Sequence, residues 1–189
     1  MTQLAHETLD CRGLSCPMPV VRTKKAMEQL NPGQVLEVLA TDKGSLADLK
    51  GWTSRTGHQY LGFEEENGVF KHYLRKAAEE REEIRFPHRM DNGELKQALE
   101  AGGVRVLDVR EAAEVYFGSI PGAISIPYGE LEQRWEELDP RETYAVICRT
   151  GHRSDYACQW LADKGFAHIY NVLPGMSEWD GPVTERREV

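Results

Sequence analysis

The sequence is most tightly constrained around Cys148. An apolar run, Tyr144–Ile147, reads as a buried strand, and it runs into Cys148-Arg149-Thr150-Gly151-His152-Arg153-Ser154. Beyond that stretch Tyr156, Ala157, Trp160 and Leu161 fall on one face of a helical pattern. A buried strand that gives way to a helix within a few residues is the repeating unit of a parallel α/β sheet. The turn between them can curl its backbone N–H groups toward the sulfur, and the helix adds the positive end of its dipole. A cysteine placed there is a charge-stabilised nucleophile. Arg149 and Arg153 add positive charge, so the loop they share with Thr150, Gly151 and His152 is expected to bind an anionic substrate. His152 reads equally as a substrate contact or as a side chain that merely projects from the loop. The alternative for the whole stretch is a structural cysteine buried in a surface turn.

The rest of the second half alternates helix and strand. Helices are expected over 94–101, 111–116, 130–138 and 154–164, and strands over 104–109, 123–126 and 169–172. That order predicts an α/β domain with a parallel sheet covered on both faces. Asp108 and Arg110 close one of these strands. Asp108 reads either as the partner of an arginine or as a plain strand-end turn residue. Cys158, ten positions beyond Cys148 on the helix, is expected in the core.

The first half follows a different plan. A short strand before Cys11 leads to a helix over 17–30, with Val20, Thr23, Met27 and Leu30 on one face. A strand over 34–40 and a helix over 45–56 follow, the latter with Ser45 as its expected N-cap. Two strands over 60–65 and 69–76 meet at Asn67-Gly68, a hairpin signal. The order β-α-β-α-β-β predicts a two-layer sandwich, both helices on one face of a four-stranded sheet. Pro17 suits the first helical position, and its ring holds Cys16 extended at the helix N-terminus, beside water. Pro17 and Pro19 also remove two first-turn N–H donors from the reach of Cys16. Cys11 reads either as a thiol that resolves a persulfide or disulfide on Cys16, or as a small hydrophobe at the end of its strand. Residues 77–90 are charged and poor in apolar side chains, so they read as a linker between domains 1–76 and 91–189.

Charge and cysteine usage narrow the function. Residues 1–90 hold 13 acidic and 13 basic side chains and residues 91–189 hold 18 and 10, so the net charge of −8 lies entirely in the second half. Neither half has the basic excess of a nucleic-acid binder. No apolar run is long enough to span a membrane, and the first residues lack the pattern of a secretory signal. Four cysteines without zinc-ribbon spacing, and His58, His72 and His88 without convergent partners, predict no metal site. A cytoplasmic protein with reduced, partly reactive thiols is the expectation. Its oligomeric state is left open.

Two family resemblances follow from these residues. Four residues separate Cys148 from Arg153, and C-R-T-G-H-R-S resembles the active-site loop of rhodaneses, the sulfurtransferases. Cysteine phosphatases use a related cradle one residue longer. The likeness continues in D-V-R at 108–110, S-I-P-G-A at 119–123 and L-P-G-M-S-E-W at 173–179. Ser119 departs from the usual histidine, and Gly175 stands alone where two glycines are common. In the first half, L-D-C-R-G-L-S-C-P-M-P-V-V resembles the signature of TusA-type sulfur carriers, and Cys16 matches the carrier cysteine. Together the resemblances imply a sulfur relay. Cys148 would take sulfane sulfur from thiosulfate, polysulfide or a low-molecular-weight persulfide, hold it as a persulfide, and pass it to Cys16 and on to thiol or protein acceptors. No metal or organic cofactor is implied. The rivals are a non-catalytic persulfide or redox sensor and an anion-cradle phosphatase or arsenate reductase.

Overall fold

A computed structural model describes residues 3–78 and 83–184. The chain divides near residue 80 into two compact units.

The first unit runs β1 (Glu7–Cys11), α1 (Met18–Gln29), β2 (Val35–Ala40), α2 (Ser45–Thr56), β3 (Gln59–Glu66) and β4 (Val69–Arg75). The sheet order is β1-β2-β4-β3, with β1 and β2 parallel and the other pairs antiparallel. Asn67 and Gly68 both take positive φ, 53° and 76°, as a two-residue hairpin turn of type I′ requires. Leu36, Val38 and Leu74 of the sheet share one core with Met27 of the first helix, Leu30 just after it, and Leu49 and Trp52 of the second. Cys11 sits in that core fully buried, which favours the small-hydrophobe reading over a resolving thiol.

Two helix starts differ from expectation. Pro17 is the N-cap of α1, so the helix begins at Met18 and the buried Pro19 lies in its first turn. Gly44, not Ser45, caps α2, because the Ser45 hydroxyl is engaged elsewhere. It meets His72 Nε2 at 3.0 Å while Tyr60 Oη meets Nδ1 at 2.7 Å. His72 is fully buried between them, against the rings of Phe63 and Phe70. Burial lowers its pKa from the ordinary 6.5 to about 4, and Lys50 pushes weakly the same way. A folded state that keeps this imidazole neutral binds fewer protons than the unfolded chain between pH 6.5 and 4. About 3 kcal/mol of stability, present above pH 6.5, is therefore lost as pH falls through that window. An NMR titration of the His72 ring should show a midpoint near 4; one near 6.5 would remove this account.

The second unit contains β5 (Arg89–Asp91), α3 (Asn92–Ala101), β6 (Arg105–Asp108), α4 (Ala112–Tyr116), β7 (Ile124–Ser125), α5 (Leu131–Arg134), β8 (Tyr144–Ile147), α6 (His152–Asp163) and β9 (Ile169–Leu173). The order β5-β9-β8-β6-β7 is parallel throughout. Alternation along the strands serves both faces. Leu107, Val146 and Cys148 pack with Ala157, Cys158 and Leu161 of α6, whereas Val106, Ala145 and Ile147 pack with Leu95 of α3. The expected helix over 130–138 breaks into α5 flanked by short 3₁₀ turns at Tyr128–Glu130 and Trp135–Glu137. Asp91 caps α3 by accepting from Glu94 N at 2.7 Å, and Glu94 returns the bond to Asp91 N.

The segment read as a linker is partly structural. Phe86 is buried in the core beside α6, and Arg89 already pairs with Asn171 as the start of an edge strand. Residues 79–82, in the middle of the expected linker, lie outside the described residues.

Candidate active site

Cys148 stands at the C-terminal end of β8, the third strand of five, where crevices of open parallel sheets form. Its side chain is 1% exposed. Gly151 N donates to Sγ at 3.1 Å, and α6 begins at the next residue. The sulfur thus faces a backbone donor and the positive end of a twelve-residue helix. Gly151 is obligatory on two counts. Its φ is +95°, and a β-carbon there would collide with Leu173 Cδ2 and press on Ile84. Gly175 closes the loop from the other side. At φ +89° a β-carbon would come 2.6 Å from the carbonyl oxygen of Cys148. Instead Met176 N and Ser177 N donate to the carbonyls of Cys148 and Arg149, and the buried Asn92 holds both backbone groups of Gly175. The lone glycine of L-P-G-M-S-E-W therefore suffices to clasp the loop.

The arginines separate into distinct roles. Arg153 was expected to face substrate, but its guanidinium grips Glu114 of α4 at 2.7 and 3.1 Å. The Glu114 side chain is fully buried. Burial alone would lower the pKa of Arg153, and the carboxylate outweighs it, so the net direction is upward. Arg110 is likewise committed, forming a buried two-pronged pair with Asp108 and a bond to the Gly118 carbonyl. This settles the two readings of Asp108 in favour of an arginine partner. Arg149 is exposed, and the structure shows no ion pair to it among the described residues. Thr150 and His152 are half-buried, 3.4 Å apart through Oγ1 and Nδ1.

Sequence reasoning missed the buried polar residues beneath the loop. Ser154 Oγ lies 3.3 Å from Cys148 Sγ and donates to Asn171 Oδ1 at 2.6 Å. Asn171 Nδ2 reaches Gly151 O at 3.0 Å and Asp155 Oδ1 at 3.4 Å. Asp155 also accepts from Arg85 N, Phe86 N and Gln159 Nε2, which fastens the incoming chain to α6. One signal was available: Asn171 is a fully buried amide in the middle of an apolar strand, and such a group demands partners. Cys158 is buried in the core, and burial pushes its thiol well up.

The other expected site residues lie in the first unit. Cys16 is exposed just before the Pro17 cap, its N–H donating to Asp42 Oδ2 at 3.3 Å. Its thiol pKa is raised, first by a hydrogen bond to Asp48, then by desolvation and the charges of Asp48 and Asp42. The Asp48 carboxylate, first among these causes, restrains this thiol. Asp48→Asn should therefore move the pH midpoint of iodoacetamide alkylation at the Cys16 peptide downward; an unchanged midpoint would mean that Asp48 does not hold the thiol proton. Among the described residues no cluster of acids, histidines and cysteines could hold a metal, and no helix is long and apolar enough to cross a membrane.

Comparison with known proteins divides the chain at the same place. Residues 7–76 match the family model described as Sulfurtransferase TusA, and residues 91–181 match the Rhodanese-like domain. A Bacillus subtilis (strain 168) protein named for sulfur carriage, YrkF, is 44% identical over 176 residues, 92% of this chain and 95% of its own length. The sulfur carrier protein TusA of Allochromatium vinosum is 39% identical over 71 residues, 38% of this chain and 93% of that one. A rhodanese-related protein from Thermoplasma volcanium, known from its crystal structure, is 36% identical with a TM-score of 0.48, covering 51% of this chain and 97% of its own.

Proposed function

Because the chain belongs to the family that joins a TusA-type sulfur carrier domain to a rhodanese-like domain, we propose that it transfers sulfane sulfur from a small donor through Cys148 to Cys16. The donor is thiosulfate, a polysulfide or a low-molecular-weight persulfide. The Cys148 thiolate attacks the outer sulfur, the donor S–S bond breaks, and sulfite or a thiolate leaves with the electron pair. Arg149 attracts the anionic donor, and the Gly151 N–H with the α6 dipole supports negative charge on the bound sulfur. The Cys16 sulfur then attacks the outer sulfur of the Cys148 persulfide, and Sγ of Cys148 leaves as thiolate. The exposed Cys16 persulfide offers the sulfur to a thiol or protein acceptor.

The observation that carries this reading is the cradle itself. Cys148 Sγ is enclosed, 3.1 Å from a backbone donor, in a loop pinned from beneath and from the side. Intact-protein mass spectrometry after thiosulfate treatment, with peptide mapping, tests it. A gain of one sulfur atom on the Cys148 peptide is expected. A chain that stays unmodified at Cys148 with every donor class would remove the assignment.

A further inference from the structure

Ser154 has one hydroxyl hydrogen and two neighbours that can use it. Asn171 fixes where that hydrogen rests. The Gly151 carbonyl and the Asp155 carboxylate can only accept, so the side of Asn171 that faces them must be its NH₂. Its Oδ1 therefore faces Ser154 at 2.6 Å, and because an amide oxygen cannot donate, the hydroxyl does. Toward Cys148 Sγ, 3.3 Å away, Ser154 then presents only a lone pair. That arrangement leaves a charged sulfur without a hydrogen from this side. All three residues are buried, so no solvent competes for these positions.

We propose that Ser154 is a catalytic residue of the sulfur-releasing half-reaction, its hydroxyl swinging from Asn171 to Cys148 Sγ as that sulfur becomes a thiolate leaving group. The inference rests on the sulfurtransferase reading. When an acceptor attacks the outer sulfur of the persulfide, a new bond forms to that sulfur and the bond to Sγ breaks. The electron pair stays on Sγ, and no proton needs to be transferred to it. A hydrogen bond to an ionised group is roughly twice as strong as one between neutral groups, so the developing charge outbids the Asn171 amide. Rotation about the serine Cβ–Oγ bond is the only motion required. Once Sγ is again a neutral bridging sulfur, the hydrogen returns to Asn171.

The two half-reactions should respond differently. Loading consumes the thiolate and builds no new charge on Sγ, so removing the hydroxyl should change loading far less than release. Release ends on that thiolate, so removing the hydroxyl slows it. A side chain needed only for packing would impair both.

The test uses the full chain with Cys16→Ser, so that Cys148 alone carries sulfur, with thiosulfate as donor and cyanide as acceptor in single-turnover experiments. Ser154→Ala should slow thiocyanate release about tenfold, the effect of losing roughly one charge-assisted bond. Loading of Cys148, followed by peptide mass, should stay within about threefold of the parent or rise, which also shows that the cradle is intact. Ser154→Thr, which keeps the hydroxyl, should restore release. Equal losses in both steps, or parent-like release in Ser154→Ala, would overturn the proposal. If the parent chain itself never loads Cys148, the sulfurtransferase reading fails first and this inference falls with it.

Discussion

Cys148→Ser should lower turnover of thiosulfate to cyanide or a small thiol by about four orders of magnitude, the scale at which loss of a nucleophile is felt. No other thiol can substitute within the cradle. Cys158 is buried in the core behind it, with its thiol pushed up by burial and by Asp155. Cys11 is likewise buried and shifted up, chiefly by desolvation, in the first unit. Cys16 is exposed, but its pKa is raised, first by its hydrogen bond to Asp48. The serine oxygen that replaces Sγ would still receive the Gly151 N–H, so the fold and the loop should survive. Steady-state thiocyanate production checks the outcome. Turnover within tenfold of the wild type would show that the reaction does not pass through Cys148.

Glu114→Ala should destabilise the second unit by about 3–5 kcal/mol, the usual result of removing one partner from a buried ion pair. Glu114 takes both guanidinium prongs of Arg153 and also accepts from Glu111 N at 3.0 Å. Without it the Arg153 charge, mostly buried at the first turn of α6, loses its two-pronged carboxylate partner. The loop whose geometry that turn fixes should loosen with it. Urea unfolding followed through Trp135, Trp160 and Trp179 reports on this unit. Arg149→Ala provides the contrast: it should leave stability alone and weaken thiosulfate more than a neutral trisulfide. A Glu114→Ala loss below about 1 kcal/mol would place the pair among surface ion pairs of little worth.

The sequence made the two reactive cysteines legible because each sits at a junction that local patterning can reveal. Tyr144–Ile147 read as a buried strand and the residues from Ser154 as a helix, which placed Cys148 at their junction. What stayed hidden was pairing at a distance. Glu114 lies 39 positions from Arg153, Asn171 lies 17 from Ser154, and Asn92 lies 83 from Gly175. Periodicity carries no information about which polar groups converge once the sheet forms. Composition misled in one place. Residues 83–90 read as linker because charges dominate them, yet Asp155 captures the amides of Arg85 and Phe86, and Phe86 packs into the core. At Ser45 a good N-cap residue was diverted, since a buried histidine needed its hydroxyl more than the helix end did.

The relay between the cysteines is the central claim, and the initial rate at which Cys16 acquires sulfur from thiosulfate tests it most directly. Peptide-resolved persulfide mapping over time, in the wild-type chain and in Cys148→Ser, gives that rate. The expected order in the wild type is Cys148 first and Cys16 after it. In Cys148→Ser, Cys16 should load from thiosulfate at least about tenfold more slowly, because Asp42 and Asp48 surround it with negative charge that disfavours both its thiolate and an approaching dianion. Equal Cys16 loading rates in the two chains would contradict the relay and make the two domains independent sulfur handlers.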